Sequence, residues 1–204
     1  MRYGKGTIFA SLSAALFACG TPAFASEVPG SVAVDVAAED LGPNQFVWAD
    51  AETGEPVSIV INVAEQRAYV YRGEALVAAT AVSTGKTGKD TPSGTFAILQ
   101  KKIDHRSTLY NDAPMPFMQR LTWDGIAIHA GKNPGYPASH GCIRVPLDFA
   151  KKLYGITTVG TTVTVVGADG EVAPTVYDGS GTATETAKAN KAGANKAGLQ
   201  VAAR

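Results

Sequence analysis

Short runs of β-branched and aromatic residues, separated by turn residues, fill the middle of this 204-residue chain. The run "VSIVINV" from Val57 predicts a strand, and the apolar positions on both sides of Arg72-Gly73 favour a hairpin. The runs "TFAILQKK", "MQRLTW", "GIAIHA" and "TTVTVV" have the same character. The pattern therefore predicts a mainly β domain, roughly Glu55 to Gly167.

One segment of this domain has helical periodicity instead. Pro146 is suited to the first helical turn, because its missing N–H costs nothing there. Gly155 is placed to end the helix. The apolar residues that share one face at helical spacing are Leu147, Ala150, Leu153 and Tyr154. The sequence thus predicts one short helix within the mainly β domain.

The segments on either side of the domain are weakly patterned. Residues 26–54 are acidic and contain Pro and Ala, so we interpret them as a lead-in with one short strand near Phe46–Ala49. From Ala168 onward, bulky apolar residues are scarce. Such a segment buries too little surface to offset its ordering entropy, so residues 168–204 are predicted to form a flexible, low-complexity tail.

The first 25 residues have the pattern of a secretory signal peptide. Arg2 and Lys5 precede an apolar run, Thr7 to Gly20, that is too short to span a bilayer. The triplet Ala23-Phe24-Ala25 fits the small-x-small cleavage rule. A buried helix of a cytosolic domain, or lipid attachment at Cys19, is the alternative. We therefore expect a protein of the periplasm or cell envelope that has no transmembrane segment after cleavage.

The balance of basic and acidic residues excludes some classes of partner but does not identify one. The 18 basic and 18 acidic residues balance, and removal of Arg2 and Lys5 leaves 16 basic against 18 acidic, about −2. The sequence has no basic stripe with interleaved aromatic residues, so nucleic acid is not an expected partner.

Signal cleavage would leave Cys142 as the only thiol of the mature chain. Cysteines of exported proteins usually pair as disulfides. A lone thiol is therefore an inert small hydrophobe, a bridge to a second chain, or a reactive nucleophile. The neighbouring residues have to decide between these three interpretations.

Two of the three histidines, His129 and His140, lie within thirteen residues of Cys142. His129 ends the run "GIAIHA", and a loop with Gly and Pro separates it from Cys142. Such a loop can bring an imidazole beside the thiol, which needs a base to become a nucleophilic thiolate. Gly141 allows close approach of a substrate and main-chain N–H groups aimed at an oxyanion, and Arg144 supplies a charge suited to a carboxylate.

Taken singly, these residues also have purely structural interpretations. His129 is consistent with a satisfied core histidine, and Arg144 with an ion pair to Asp148. A zinc site built from His129, His140 and Cys142 is a further alternative, although the paired H-x-x-x-H or C-x-x-C spacing is lacking.

The segment "IAIHAGKNPGYPASHGCIRV" resembles the signature of the L,D-transpeptidase catalytic domain (YkuD) family. That signature is a histidine, a spacer, Ser/Thr-His-Gly-Cys, an apolar residue, and Arg or Asn. The segments "TPSGTFAI" from Thr91 and "LTWDGIAIHAG" from Leu121 are also similar to family segments. The likeness covers about Val57 to Gly167.

The resemblance implies a β-sandwich-like fold with the cysteine in a cleft. It implies that Cys142 is the nucleophile, that His129 is the base, and that the carbonyl of Ala130 orients this histidine. The N–H groups of Gly141 and Cys142 would form the oxyanion site. The supporting or substrate-contacting positions that it implies are Ser139, His140 and Arg144. No metal or organic cofactor is expected.

The implied reaction is transfer of a peptidoglycan stem peptide. Cys142 would attack the carbonyl of the L-centre of a diamino acid, release D-Ala, and pass the acyl group to an amine of a neighbouring stem, which gives a 3→3 cross-link. Water as acceptor would make the protein an L,D-carboxypeptidase, and the amine of an envelope protein would tether that protein to the wall. A non-catalytic wall-binding module is the remaining alternative. The irregular stretch Asp104–Pro116 is long enough to cover a cleft.

Overall fold

The computed structural model describes residues 31–49, 54–108, 111–177 and 183–185. The predicted signal peptide, with Cys19, lies outside the described residues, as does most of the predicted tail. Two sheets and two helices make up the described part. None of its helices has both the length and the apolar character needed to cross a membrane.

The larger sheet, sheet A, has eight strands in the order β1-β4-β3-β2-β10-β5-β11-β12. Strands β3 and β4 form the predicted hairpin on either side of Arg72-Gly73, and β2 adds a further antiparallel neighbour to β3. Strand β10 returns parallel to β2 and closes the predicted domain. The strands of sheet A are β1 (Phe46–Trp48), β2 (Val57–Asn62), β3 (Arg67–Arg72), β4 (Ala75–Ala81), β5 (Gly94–Ala97), β10 (Thr162–Val166), β11 (Thr175–Tyr177) and β12 (Ala183–Glu185).

The smaller sheet, sheet B, has four strands in the order β6-β7-β8-β9. Its strands are β6 (Gln100–Lys102), β7 (Met118–Arg120), β8 (Ala127–Ala130) and β9 (Ile143–Val145). The run "TFAILQKK" is therefore two strands in two sheets and not one. Between them, the N–H of Ile98 donates to Thr161 at 2.9 Å and the N–H of Leu99 donates to Arg120 at 2.7 Å, as the chain passes from one sheet to the other.

The predicted mainly β architecture is confirmed, with a common core between the two sheets. Alternate positions of the central strands, such as Ile59 and Ile61 of β2, are buried with Ile128 and Ile143 of sheet B. This alternation is the period-2 pattern of half-buried strands. Burial of these apolar side chains is the main favourable contribution to folding.

Helix α2 (Leu147–Ile156) is the helix that the sequence predicted, with different ends. Pro146 is its N-cap residue and lies outside the first turn. The prediction that Gly155 ends the helix is wrong, because the helix continues to Ile156 and the N–H of Thr157 still bonds to Leu153 at 3.1 Å. A glycine ends a helix when its left-handed conformation is needed there, and this helix leaves through an extended Thr157 instead.

A second helix, α1 (Ser31–Glu39), lies in the lead-in, where the sequence predicted only a strand. The predicted strand is present as β1. Val34, Ala38 and Leu41 pack against Leu76 and Ala79 of β4. Val34 and Ala38 give a weak helical signal, because Leu41 lies beyond the last residue of α1. Packing on sheet A is what stabilises this short helix.

Part of the predicted tail also continues the fold. Strand β11 pairs parallel with β5, and β12 pairs antiparallel with β11. The sequence did not predict these strands, because apolar residues are scarce after Ala168. Backbone pairing at a sheet edge depends little on side-chain type, so the strands form without an apolar pattern.

Candidate active site

Parallel pairing of β8 with β9 brings the two predicted catalytic residues to one face of sheet B. His129 lies opposite Arg144, and Ile128 lies opposite Ile143. Since side chains alternate along a strand, His129 and Arg144 point away from the core that holds Ile128 and Ile143. Cys142, two residues before Arg144, faces the same side, and all three side chains line one cavity.

The ring of His129 is buried and held in one tautomer. Its Nδ1 lies 2.8 Å from the carbonyl oxygen of Ala130. A carbonyl only accepts, so Nδ1 carries the proton and Nε2 is left as the basic nitrogen. Burial lowers the pKa of His129 to about 4, the bond to Ala130 partly opposes this, and Arg144 lowers the pKa further. The imidazole is therefore neutral at physiological pH and able to accept a proton.

The thiol of Cys142 is half-buried and donates to the carbonyl oxygen of Gly125 at 3.3 Å. Packing around the sulfur raises the pKa of Cys142, while the backbone of Ala127, Arg144 and Arg120 act to lower it. Desolvation is the largest of these effects, so the resting pair is a neutral thiol beside a neutral imidazole.

The turn before Cys142 is fixed by one serine hydroxyl. Ser139 Oγ donates to the carbonyl oxygen of Cys142 at 2.6 Å and accepts the N–H of Gly141 at 3.0 Å. Gly141 has φ +114°, and a Cβ there would lie 2.6 Å from Cδ1 of Ile126. The position therefore needs glycine for its backbone conformation and for the space beside it.

Behind this turn lies a contact that the sequence did not assign. Thr91 Oγ1 donates to the carbonyl oxygen of Gly141 at 2.8 Å and accepts the N–H of Gly85 at 2.9 Å. A Cβ on Gly85 would overlap the carbonyl oxygen of Lys89 and lie 2.7 Å from the amide nitrogen of Thr91. Thr91 begins the segment "TPSGTFAI", but nothing in that segment reveals that its hydroxyl supports Gly141.

Arg144 is held through its backbone and its side-chain stem. Its N–H and C=O both bond to Ser83 at 3.0 Å, on the opposite side from β8. The stem packs over Gly131, where a Cβ would lie 3.1 Å from Arg144 Cγ. The alternative ion pair with Asp148 is absent, since the salt bridge seen in the described part of the chain joins Arg106 to Asp112.

The cavity that these residues line has a volume of about 1000 Å³ and runs along β8 and β9. Residues that precede or begin the two strands form one end, which we call the Cys142 end: Met118, Arg120, Gly125, Ala127 and Cys142. Residues that follow the strands, with two from the lead-in, form the other, which we call the Asn44 end: Asn44, Phe46, Lys132, Leu147 and Asp148. His129 and Arg144 lie between the two ends.

Described parts of the irregular stretch Asp104–Pro116 form another wall of this cavity. His105, Ser107 and Met115 are among its lining residues. Met115 also packs with Met118 and Ala127 against Cys142. The stretch thus borders the cleft, as its length suggested, although residues 109 and 110 lie outside the described part.

Most of the predicted site residues meet at this cavity. Cys142, His129, Ala130, Arg144, Ser139 and the exposed His140 line it. Gly141 is behind the wall, and its N–H is occupied by Ser139. The amide of Cys142 donates to none of the described residues, which makes it the free member of the predicted oxyanion pair. In the part of the chain that the structure describes, no three His, Cys, Asp or Glu side chains are grouped for a metal.

Comparison with known proteins gives one family. The sequence profile of the L,D-transpeptidase catalytic domain (YkuD) matches residues 56–165, more than half of the chain. L,D-transpeptidase 1 of Mycobacterium tuberculosis is 27% identical over 135 residues, which cover 57% of this chain and 53% of the relative. The chain thus spans about half the length of the curated relatives it matches.

Solved structures agree with the sequence comparison. An L,D-transpeptidase from Stackebrandtia nassauensis is 26% identical with a TM-score of 0.51, over 59% of this chain and 58% of that one. An L,D-transpeptidase from Xylanimonas cellulosilytica is 25% identical with a TM-score of 0.51, over 56% of this chain and 62% of that one.

Proposed function

Because the chain belongs to the L,D-transpeptidase catalytic domain (YkuD) family, we propose that it is an exported, cysteine-dependent acyltransferase of peptidoglycan stem peptides. Cys142 attacks the carbonyl of the L-centre of a diamino acid in a tetrapeptide stem and releases D-Ala. The thioester then passes to an amine of a neighbouring stem, which gives a 3→3 cross-link.

The observation that carries this proposal is the tautomer of His129. Its Nδ1–H is committed to the carbonyl of Ala130 at 2.8 Å, so Nε2 is the nitrogen available in the cavity that Cys142 lines. A base of this kind removes the thiol proton as sulfur attacks, and then gives that proton to the departing D-Ala amine. A core histidine with both nitrogens satisfied could do neither.

The neutral resting pair fits this sequence of steps. Since burial keeps both the thiol and the imidazole uncharged, the proton moves only when a carbonyl carbon is present to receive the sulfur. The cation of Arg144 beside the sulfur stabilises the thiolate as it forms.

The oxyanion of the tetrahedral intermediate has one free backbone donor, the N–H of Cys142. The N–H of Gly141 is the second predicted donor and would have to leave Ser139 Oγ, 3.0 Å away, to join it. Donors fixed before the reaction stabilise developing charge most effectively, because no reorganisation is needed at that moment.

Cationic groups around the cavity suit a substrate that carries carboxylates. Arg120, Lys132 and Arg144 line it, and Asp148 is the acidic residue among its described lining residues. A peptidoglycan stem ends in a carboxylate, and the D-centre of its diamino acid can carry another. Arg144, whose stem is fixed on Gly131, is positioned to bind one of them.

Export is the part of the proposal that rests on sequence alone. The pattern of residues 1–25 supports a cleaved signal, and the substrate lies outside the cytoplasmic membrane. We propose the periplasm or another part of the cell envelope as the site of action; an envelope-protein amine is a further acceptor that the same acyl-enzyme would serve.

Purified protein incubated with disaccharide-tetrapeptide tests the proposal. Mass spectrometry of the wild type should show loss of D-Ala and a cross-linked or transferred product, and Cys142→Ala should give none. In parallel, a carbapenem should add its mass to Cys142 in the wild type only. Equal product from both proteins, or folded wild type that forms no adduct and no product, would reject a thiol enzyme and favour a wall-binding module.

A further inference from the structure

The Asn44 end of the cavity is partly built by residues upstream of the family match, which begins at residue 56. Asn44 and Phe46 of the lead-in line the cavity beside Lys132 and Asp148. A transferase has to hold an acceptor as well as a donor, and no acceptor has yet been assigned to this end of the cavity.

Several contacts fix the lead-in at this position. Asn44 has φ +60°, which asparagine tolerates, and its Nδ2 donates to the carbonyl oxygen of Asn133 at 3.0 Å. The ring of Pro43 packs so closely on Gly135 that a Cβ there would lie 2.7 Å from Pro43 Cγ. The Asn44 side chain is thus tied to the loop that leaves β8.

Phe46 ties the same segment to helix α2. Its ring meets the buried ring of Phe149 edge-on, with centroids 5.7 Å apart. Asp148 precedes Phe149 at the start of α2. The segment 42–46 is therefore held against both structures that end the β8–β9 pair, and Asn44 and Asp148 border the same space.

Strand register places Lys132 in this space as well. The pairing of Ala130 with Val145 continues through the bond from Gly131 N–H to Val145 O at 3.1 Å. Lys132 follows Gly131 after β8, Leu147 and Asp148 follow β9, and all three line the cavity. The carboxylate of Asp148, the ammonium of Lys132 and the amide of Asn44 consequently line the same end of the cavity. His129 lies between this end and the Cys142 end.

We propose that Asn44, Lys132 and Asp148 form the acceptor subsite and that they favour, over water, an amine with a carboxylate on the adjacent carbon. Asp148 and Asn44 Oδ1, which accepts no hydrogen bond from the described residues, hold the amine, and Lys132 pairs with the carboxylate. The proposal rests on the proposed function. Attack forms the C–N bond and breaks the C–S bond; the amine proton passes through His129 to the sulfur of Cys142.

The partition of one acyl-enzyme tests this subsite. Wild type, Asp148→Asn, Asn44→Ala and Lys132→Gln are each given disaccharide-tetrapeptide with glycine or with methylamine, at equal concentrations of free amine. Mass spectrometry then measures the ratio of amide to hydrolysed tripeptide. This ratio does not depend on the acylation rate, because both products come from the same thioester.

Wild type should prefer glycine to methylamine. Asp148→Asn and Asn44→Ala should lower the glycine amide-to-acid ratio roughly tenfold, the effect of losing one hydrogen bond to a charged group. Lys132→Gln should lower the amide-to-acid ratio with glycine. It should leave the ratio with methylamine unchanged, because methylamine has no carboxylate. Asn44→Asp, which keeps Oδ1, should retain more of the ratio than Asn44→Ala.

A matched control is Asp35→Asn, since Asp35 is an exposed acid on α1 that does not line the cavity. Its ratio should equal that of the wild type. Unchanged ratios in Asp148→Asn, Lys132→Gln and Asn44→Ala, or an equal change in Asp35→Asn, would overturn the subsite while leaving the proposed function standing. A wild type that never forms the thioester would overturn both.

Discussion

At the Cys142 end of the cavity, buried backbone groups and two hydroxyls make the contacts, whereas exposed side chains border the Asn44 end. Ser139 and Thr91 each bridge two main-chain groups at 2.6 to 3.0 Å. Lys132, Asn44 and Asp148 are exposed, and within the described part of the chain one side-chain hydrogen bond, from Asn44 to Asn133, holds any of the three in place.

The difference matches what each end has to do. Attack on a carbonyl needs atoms held closely in place, because small errors of geometry cost much of the rate. An acceptor has to enter and leave, so its binding residues gain from exposure. Stability and activity should therefore respond strongly to changes at the Cys142 end and weakly at the Asn44 end, where product choice should change instead.

The largest expected effect is the pH dependence of stability that His129 causes. Its pKa is about 4 in the folded chain against a usual 6.5, so the unfolded chain takes up this proton first as the pH falls. The free energy of unfolding is therefore highest above pH 6.5 and decreases as the pH falls from 6.5 to about 4. The expected loss is on the order of 3 kcal/mol in the free energy of unfolding.

Urea unfolding of wild type and His129→Gln between pH 4 and 7 measures this loss. The variant should lack most of the wild-type slope, and His105→Gln, on the wall of the same cavity, should keep most of it. Parallel pH curves for wild type and His129→Gln would show that water reaches the His129 ring more than its burial indicates.

A smaller effect is expected from a methyl group at Gly85. The Cβ would overlap the carbonyl of Lys89 and crowd the amide of Thr91, and backbone atoms cannot yield as a side-chain tip can. Gly85→Ala should lower the free energy of unfolding by about 2 to 3 kcal/mol and lower transfer activity, because Thr91 moves with its amide. Thermal unfolding and the muropeptide assay measure the two effects.

Gly155→Ala is the control for this substitution. Gly155 lies in α2 with open space where the Cβ would be. Alanine should leave stability unchanged or raise it by up to about 1 kcal/mol. Equal behaviour of the two alanine variants would mean that the 85–91 turn is not the rigid support that its contacts indicate.

The smallest of the three effects is that of the Thr91 hydroxyl. Thr91→Val leaves the N–H of Gly85 and the C=O of Gly141 without their hydrogen-bond partner. This should lower the free energy of unfolding by about 1 to 3 kcal/mol. We expect kcat to fall roughly tenfold at an unchanged KM for the donor, because Gly141 and Cys142 are displaced rather than removed. Thr91→Ser should restore most of kcat.

Lys132→Gln, at the other end, should keep its free energy of unfolding within about 0.5 kcal/mol of the wild type. The comparison between the two ends fails if Thr91→Val is as stable and active as the wild type, if Ser does not rescue, or if Lys132→Gln destabilises the protein as much as Thr91→Val does.

Much of the fold was predictable because strand burial leaves a period-2 signature. The strands β2, β3, β4, β8 and β10 lie within predicted runs, and helix α2 was found from the helical spacing of its apolar residues, although Leu147 of that predicted face is exposed. Helix α1 was missed because its buried residues, Val34 and Ala38, and Leu41 just after it gain their partners only by packing on β4. The break in "TFAILQKK" was missed because both halves have strand character, and only their partners, Thr161 and Arg120, assign them to different sheets.

The candidate site divides in the same way. Cys142, His129, Gly141 and Arg144 were found from a lone thiol and a local pattern, and the contact of His129 with Ala130 was implied by the family resemblance. Thr91 and Asn44 were not found, because each reaches the site across a long stretch of chain: Thr91 to Gly141, and Asn44 to Asn133.

Residue types along the chain are enough to identify the chemical groups that meet at the cavity: one thiol, an imidazole at a strand end, and an arginine, within a chain whose alternating apolar residues predict buried strands. Three features could be seen only in the folded protein: which nitrogen of His129 is basic, which hydroxyls support the turn before Cys142, and that the lead-in lines one end of the cavity. The reason is that residue type and local periodicity are written along the chain, whereas hydrogen bonds and desolvation depend on groups that only folding brings together.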